Sequence, residues 1–152
     1  MKLFVAEFVG TLLLVLLGDG VVAACLLRRS KAENSGWMVI TTGWAMAVAM
    51  AVYAVGKISG GHINPAVTLA LAAVGKFAWT NVPAYLAAQF LGGFLGAILV
   101  WLVYFPHWRE TEGEAEKLAV FSTAPAIRNP ISNLFTEITG TAVLLLDRKS
   151  VV

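Results

Sequence analysis

The chain has 152 residues, 59% hydrophobic and only 13% charged, whereas soluble domains run at roughly 45–50% apolar and about 25% charged. With a mean hydropathy of +0.78, a soluble fold of this length has too little interior to hide its apolar surface. A net charge of +2 with scattered basic residues excludes a nucleic-acid patch, and the single cysteine, Cys25, excludes a disulfide scaffold or a Cys-based zinc site.

Four segments of low charge follow in chain order: Leu3–Leu27, Trp37–Gly56, Pro83–Tyr104 and Ile131–Leu146. A bilayer core takes about 20 apolar residues at 1.5 Å rise each. The first three therefore predict membrane-spanning helices, and the fourth, with 16 residues, stops short. The first run carries Glu7 and Asp19 and is followed by Arg28-Arg29, so it reads as a retained helix rather than a cleaved signal peptide.

A short polar connector, Arg28 to Gly36, joins the first two spans. The next, Lys57 to Asn81, is not a plain loop. It contains Ser59-Gly60-Gly61-His62-Ile63-Asn64-Pro65 and then an uncharged run from Ala66 to Val74. As a helix that run covers about 13–14 Å, roughly half a bilayer, which predicts a re-entrant half-helix. The third connector, Phe105 to Pro130, carries Glu110, Glu112, Glu114 and Glu116 alternating with small polar residues, and that acidic stretch reads as a solvated surface loop.

Asn64-Pro65-Ala66 has the chemistry of a helix start. Asn is a favoured N-cap, and Pro at the first helical position places its fixed φ and missing N–H where both are harmless. A helix that begins inside a membrane points free N–H groups and a positive dipole end at whatever lies before it. The Asn64 amide can also donate to a passing oxygen, while Gly60 and Gly61 allow unusual dihedrals ahead of it. Irregular backbone at membrane depth is tolerated where it is buried in protein or lines a wet cavity.

An internal repeat is the second organising signal. Ala6-Glu7-Phe8-Val9-Gly10-Thr11 matches Thr136-Glu137-Ile138-Thr139-Gly140-Thr141, each copy opening an apolar segment. Three spans separate the copies, so the second has inverted topology, an arrangement that places a functional site near the midplane between repeats. Asn64 follows Glu7 by 57 residues, so an equivalent Asn-Pro after Glu137 is expected beyond Val152.

The run Ser59 to Thr68 resembles the signature loop of the major intrinsic proteins, the aquaporin and glycerol-facilitator family, and the two Glu-x-x-Gly-Thr copies resemble that family's paired buried glutamates. Gly43 to Met50 and the connector ending Phe121-Ser122-Thr123-Ala124-Pro125 are most similar to the bacterial glycerol-facilitator branch. The resemblance implies an all-α, aquaporin-like membrane protein, here the first inverted repeat (three spans and a half-helix) with the start of a fourth helix. It implies a multi-pass protein of the cell membrane, a homotetramer at full length, and passive passage of glycerol, other small polyols and water without a cofactor or metal.

Carried onto this sequence, the resemblance makes Asn64, within Asn64-Pro65-Ala66, a donor to the permeating hydroxyl. Gly60, Gly61, His62 and Ile63 would present backbone carbonyls, and Trp44 would be the apolar wall of a narrow filter. Glu7 and Glu137 would hold the irregular loops, with Gln89 in support. Gly92, Gly93 and Gly96 read as close helix packing. The alternatives are a water-selective channel, a non-functional truncated fragment and, remotely, a membrane enzyme or coupled transporter using His62 and the acidic residues. Residues 3–146 are the expected channel domain. Asp147 to Val152 departs from the family pattern and is expected to be a foreign tail read through from adapter sequence. The family orientation puts the N-terminus inside the cell, although basic residues are then more numerous outside, against the positive-inside rule.

Overall fold

A computed structural model describes residues 1–151, with side chains through Leu146. The order is α1 (Lys2–Leu26), α2 (Trp37–Ser59), α3 (Pro65–Ala73), a 3-10 turn (Trp79–Asn81), α4 (Val82–Val103), α5 (Phe105–Glu110), α6 (Glu114–Ala119) and α7 (Pro130–Val151), with no strand among the described residues. Three stretches, Lys2–Leu26, Trp37–Ser59 and Trp79–Val103, are long and apolar enough to cross a membrane. The backbone of α7 stays helical through Val151, beyond Leu146, where its apolar part ends. The expected foreign tail, 147–152, lies outside the residues whose side chains are described.

Helix α1 packs against both α2 and α4, and glycines explain how close it comes. Helix association in lipid rests on packing rather than on a hydrophobic driving force, so small residues that let backbones meet are favoured. On α4, Gly92 and Gly96 are one turn apart. A Cβ on Gly92 would overlap the Phe8 carbonyl oxygen, and one on Gly96 would sit 2.9 Å from the Leu12 carbonyl oxygen. Gly93 differs from its two neighbours, since a Cβ there meets nothing nearer than 3.8 Å. Facing α2, Gly10 leaves room for Val55 and Ile63. The outward faces carry Tyr53, Phe90 and Phe94 largely exposed.

Helix α3 starts at Pro65, capped by Asn64 in an extended conformation, and is nine residues long. At 1.5 Å per residue it reaches about half a bilayer. It lies against α4 and α7, so a helix end and an irregular loop are held within the bundle rather than exposed to lipid.

In the third connector the acidic stretch is exposed, but it is partly helical rather than a plain loop. Two short helices, α5 and α6, fold part of it back over the end of α1. Val120 is buried with Ala23, Leu27 and Val100. The Thr111 hydroxyl, also buried, accepts from the Arg28 backbone N–H at 3.0 Å and donates to the His107 carbonyl at 2.8 Å. Ion pairs Arg29–Glu110 and Arg28–Glu33, each at 3.1 Å, lie on its exposed side. The glutamates are solvated, as their charge demands, while Thr111 between them and Val120 after them are buried.

Candidate functional site

The centre of the site is the Glu7 carboxylate, fully buried on α1. Its Oε1 accepts from the Ser59 hydroxyl at 2.6 Å and from the His62 backbone N–H at 3.0 Å. Oε2 accepts from the Ile63 backbone N–H and from Gln89 Nε2, both at 2.8 Å. A carboxylate inside a membrane protein needs partners, and Glu7 has four donors from three segments. Together they tie α1, the loop after α2, and α4 at one point.

The loop between α2 and α3 is a run of unusual dihedrals. Gly60 ends α2 in the left-handed region at φ 82°, its N–H bonded to the Gly56 carbonyl at 2.9 Å. Gly61 follows at φ 59° and Ile63 at φ 42°. Positive φ is ordinary for glycine, but it is a genuine outlier for a β-branched residue. Such strain costs on the order of 1–3 kcal/mol and persists only where surroundings over-determine it. At Ile63 the N–H is held by Glu7, and the side chain is buried against Ala6, Ala51 and Val55. Among the described residues, no donor reaches the carbonyls of Gly60, Gly61 or Ile63.

Asn64 uses only half of its amide within the chain. Oδ1 accepts from Ala66 N–H at 2.8 Å and Val67 N–H at 3.4 Å, which fixes which end of the amide is oxygen. The Nδ2 group donates to none of the described residues, and Asn64 is half-exposed. Behind it, the Thr68 hydroxyl donates to the Asn64 carbonyl at 3.1 Å and accepts from Gln89 Nε2 at 2.9 Å. His62 is buried, with Nδ1 3.1 Å from Thr68 Oγ1 and its ring against Phe77 and Tyr85 at 4.8 and 4.9 Å. That position braces the loop.

The structure thus brings together Glu7, Gly60, Gly61, His62, Ile63, Asn64, Pro65, Ala66 and Gln89. Glu137 is exposed on α7 and bonds to none of the described residues. Trp44 lies elsewhere on α2, half-buried, beside a cavity of about 580 Å³ whose lining includes Asn34, Thr41 and Thr123 but not Asn64. Sequence reasoning missed three members. Ser59 and Thr68 end the signature run and both join the Glu7 and Gln89 network. Tyr85, four residues before Gln89 and so on the same face of α4, donates its hydroxyl to the Ser59 carbonyl at 2.9 Å.

Comparison with known proteins fits this geometry. The Major intrinsic protein family profile matches residues 1–150. A probable glycerol uptake facilitator protein from Thermotoga maritima is 61% identical over 146 residues, covering 96% of this chain and 62% of the relative. The glycerol uptake facilitator protein of Bacillus subtilis is 50% identical, covering 96% of this chain and 53% of the relative. The chain therefore spans a little over half the length of these relatives. The X-ray structure of the aquaglyceroporin from Plasmodium falciparum superposes with a TM-score of 0.65 at 32% identity, covering 72% of this chain and 44% of that one. By fold and sequence alike, the chain belongs to the major intrinsic protein family.

Proposed function

We propose that this chain builds one wall of a passive channel for glycerol and similar small uncharged polyols, with water also passing, in a multi-pass, tetrameric protein of the cell membrane. The observation that carries the reading is the divided amide of Asn64: Oδ1 is committed to capping α3, while Nδ2 is left to donate. The unengaged carbonyls of Gly60, Gly61 and Ile63 supply acceptors beside that donor. A polyol can then exchange its hydration for matched contacts, and the dipole end of α3 disfavours cations. Trp44 supplies the apolar wall of the passage. The names of the relatives support glycerol as the solute.

Asn64→Asp tests this in the full gene product reconstituted in liposomes. The substitution keeps an oxygen for the cap and puts negative charge at a helix N-terminus, so folding is retained. It removes the Nδ2 donor. The expected result is an unchanged or higher melting temperature with glycerol flux at least several-fold lower. Unchanged glycerol flux in this variant refutes the role of Asn64, and water flux without glycerol flux in the unmodified protein refutes the polyol reading.

A further inference from the structure

The Trp44 indole lies against a place on α1 where no side chain exists. A Cβ on Gly18 would sit 2.6 Å from Trp44 Cε3 and Cζ3 and 2.7 Å from Cη2. Ordinary contact for such atoms begins at 3.4 Å. The indole therefore rests in a notch only glycine provides, and any larger residue would displace the ring by about 0.8 Å or more, given the steep repulsion below contact distance. The partner helix carries a reciprocal notch: a Cβ on Gly43, the residue before Trp44, would sit 2.7 and 2.8 Å from the two Val21 methyl carbons. Val21 seated at Gly43 and Trp44 seated at Gly18 lock α2 onto α1 in register at the level of the indole. With that register fixed, the ring is the part left to yield, and the open space beside it is the cavity of about 580 Å³ that Trp44 lines with Asn34, Thr41 and Thr123.

We propose that Gly18 is a positioning residue for solute selectivity: by leaving room for the Trp44 indole against α1, it keeps the passage in front of the ring wide enough for a polyol. The inference rests on the reading of Trp44 as the wall of that passage. A ring pushed into the lumen narrows it, and a narrower passage discriminates against the larger solute before it discriminates against water.

The test is the ratio of glycerol to water permeability in proteoliposomes of the full gene product, at matched protein per vesicle. Gly18→Ala is expected to lower the ratio by about fivefold or more, since pore diameter sets which solute passes. Gly20→Ala, on the same helix with nothing within 4 Å of a Cβ, is expected to leave it unchanged. Gly18→Ala with Trp44→Phe, which shrinks the ring that meets the new methyl group, is expected to restore the ratio to that of Trp44→Phe alone. A normal ratio in Gly18→Ala, alongside an altered ratio in Trp44→Ala, overturns this inference and leaves Trp44 as the wall. A normal ratio in Trp44→Ala removes Trp44 from the passage and takes the inference with it. Should Gly18→Ala fail to assemble, recovery of assembly in the double variant supports the notch, and failure there as well overturns it.

Discussion

Replacing Glu7 with glutamine asks how much of the half-helix depends on one carboxylate. Glutamine keeps one acceptor oxygen and turns the other into a donor. With its oxygen toward Ile63 N–H and Gln89 Nε2, both 2.8 Å from Glu7 Oε2, those two bonds survive without charge assistance. The new amide then faces Ser59 and His62. The Ser59 hydroxyl can adapt, because the Val55 carbonyl, 3.4 Å away, can take its proton. The His62 backbone N–H cannot turn and is left facing a donor. The opposite rotamer is worse, since it orphans the Ile63 N–H and turns Gln89 away from Thr68. One buried N–H without a partner costs about 1–3 kcal/mol, and each bond losing its charge falls from about 1.5–3 to about 0.5–1.5 kcal/mol. The loop is expected to lose about 3–5 kcal/mol. Strain at Ile63, with φ at 42°, adds a tendency to spring away once the anchor weakens. Native-state hydrogen exchange at the His62 and Ile63 amides reads this directly, because each 1.4 kcal/mol is tenfold. Protection should fall by roughly two to three orders of magnitude or to the exposed limit, and glycerol flux should fall with it. Glu7→Gln that keeps both the protection and the flux refutes the view that this carboxylate holds the loop.

Two pairs of glycine variants test other contacts by thermal or denaturant unfolding. Gly61→Ala should be more destabilising than Gly60→Ala. Both force a side chain into the left-handed region, costing about 1–2 kcal/mol, but only Gly61 would also press its Cβ to 3.3 Å from the Gly56 Cα. Equal melting temperatures for the two variants would contradict that ranking. Gly92→Ala should destabilise by about 1–3 kcal/mol or more, because its methyl group meets the Phe8 carbonyl and must part α1 from α4. Gly93→Ala, one residue away with 3.8 Å of clearance, should be neutral or slightly stabilising through helix propensity. A similar loss from both would mean that the α1–α4 contact does not depend on backbone approach at Gly92.

The parts of this fold that can be read in the sequence are those set by a length or by one local rule. Runs of some 20 apolar residues leave few alternatives to spanning helices, and Asn64-Pro65 before a nine-residue apolar stretch marks both the start and the shortness of α3. What depends on long-range partners is not readable in this way. Thr111 sits among glutamates and Val120 just after them, and nothing in their neighbourhood shows that the end of α1 will cover them. Glu7 is buried because Ser59, His62, Ile63 and Gln89 converge on it.

Ile63 shows why the local and the long-range parts need each other. A β-branched residue at φ 42° is a poor choice by any local rule, and the sequence on either side, glycines before and Asn-Pro after, does not require it. The conformation is held from 56 positions away, by a carboxylate near the start of the first helix. A freer residue at position 63 could adopt this turn without Glu7, but the turn would then be one state among several. Isoleucine fills the pocket formed by Ala6, Ala51 and Val55, a pocket that exists only when α1 and α2 are already docked. The strain is therefore carried where tertiary packing can hold it, and the carbonyls and amide that line the proposed passage inherit their positions from that packing rather than from the loop's own preference.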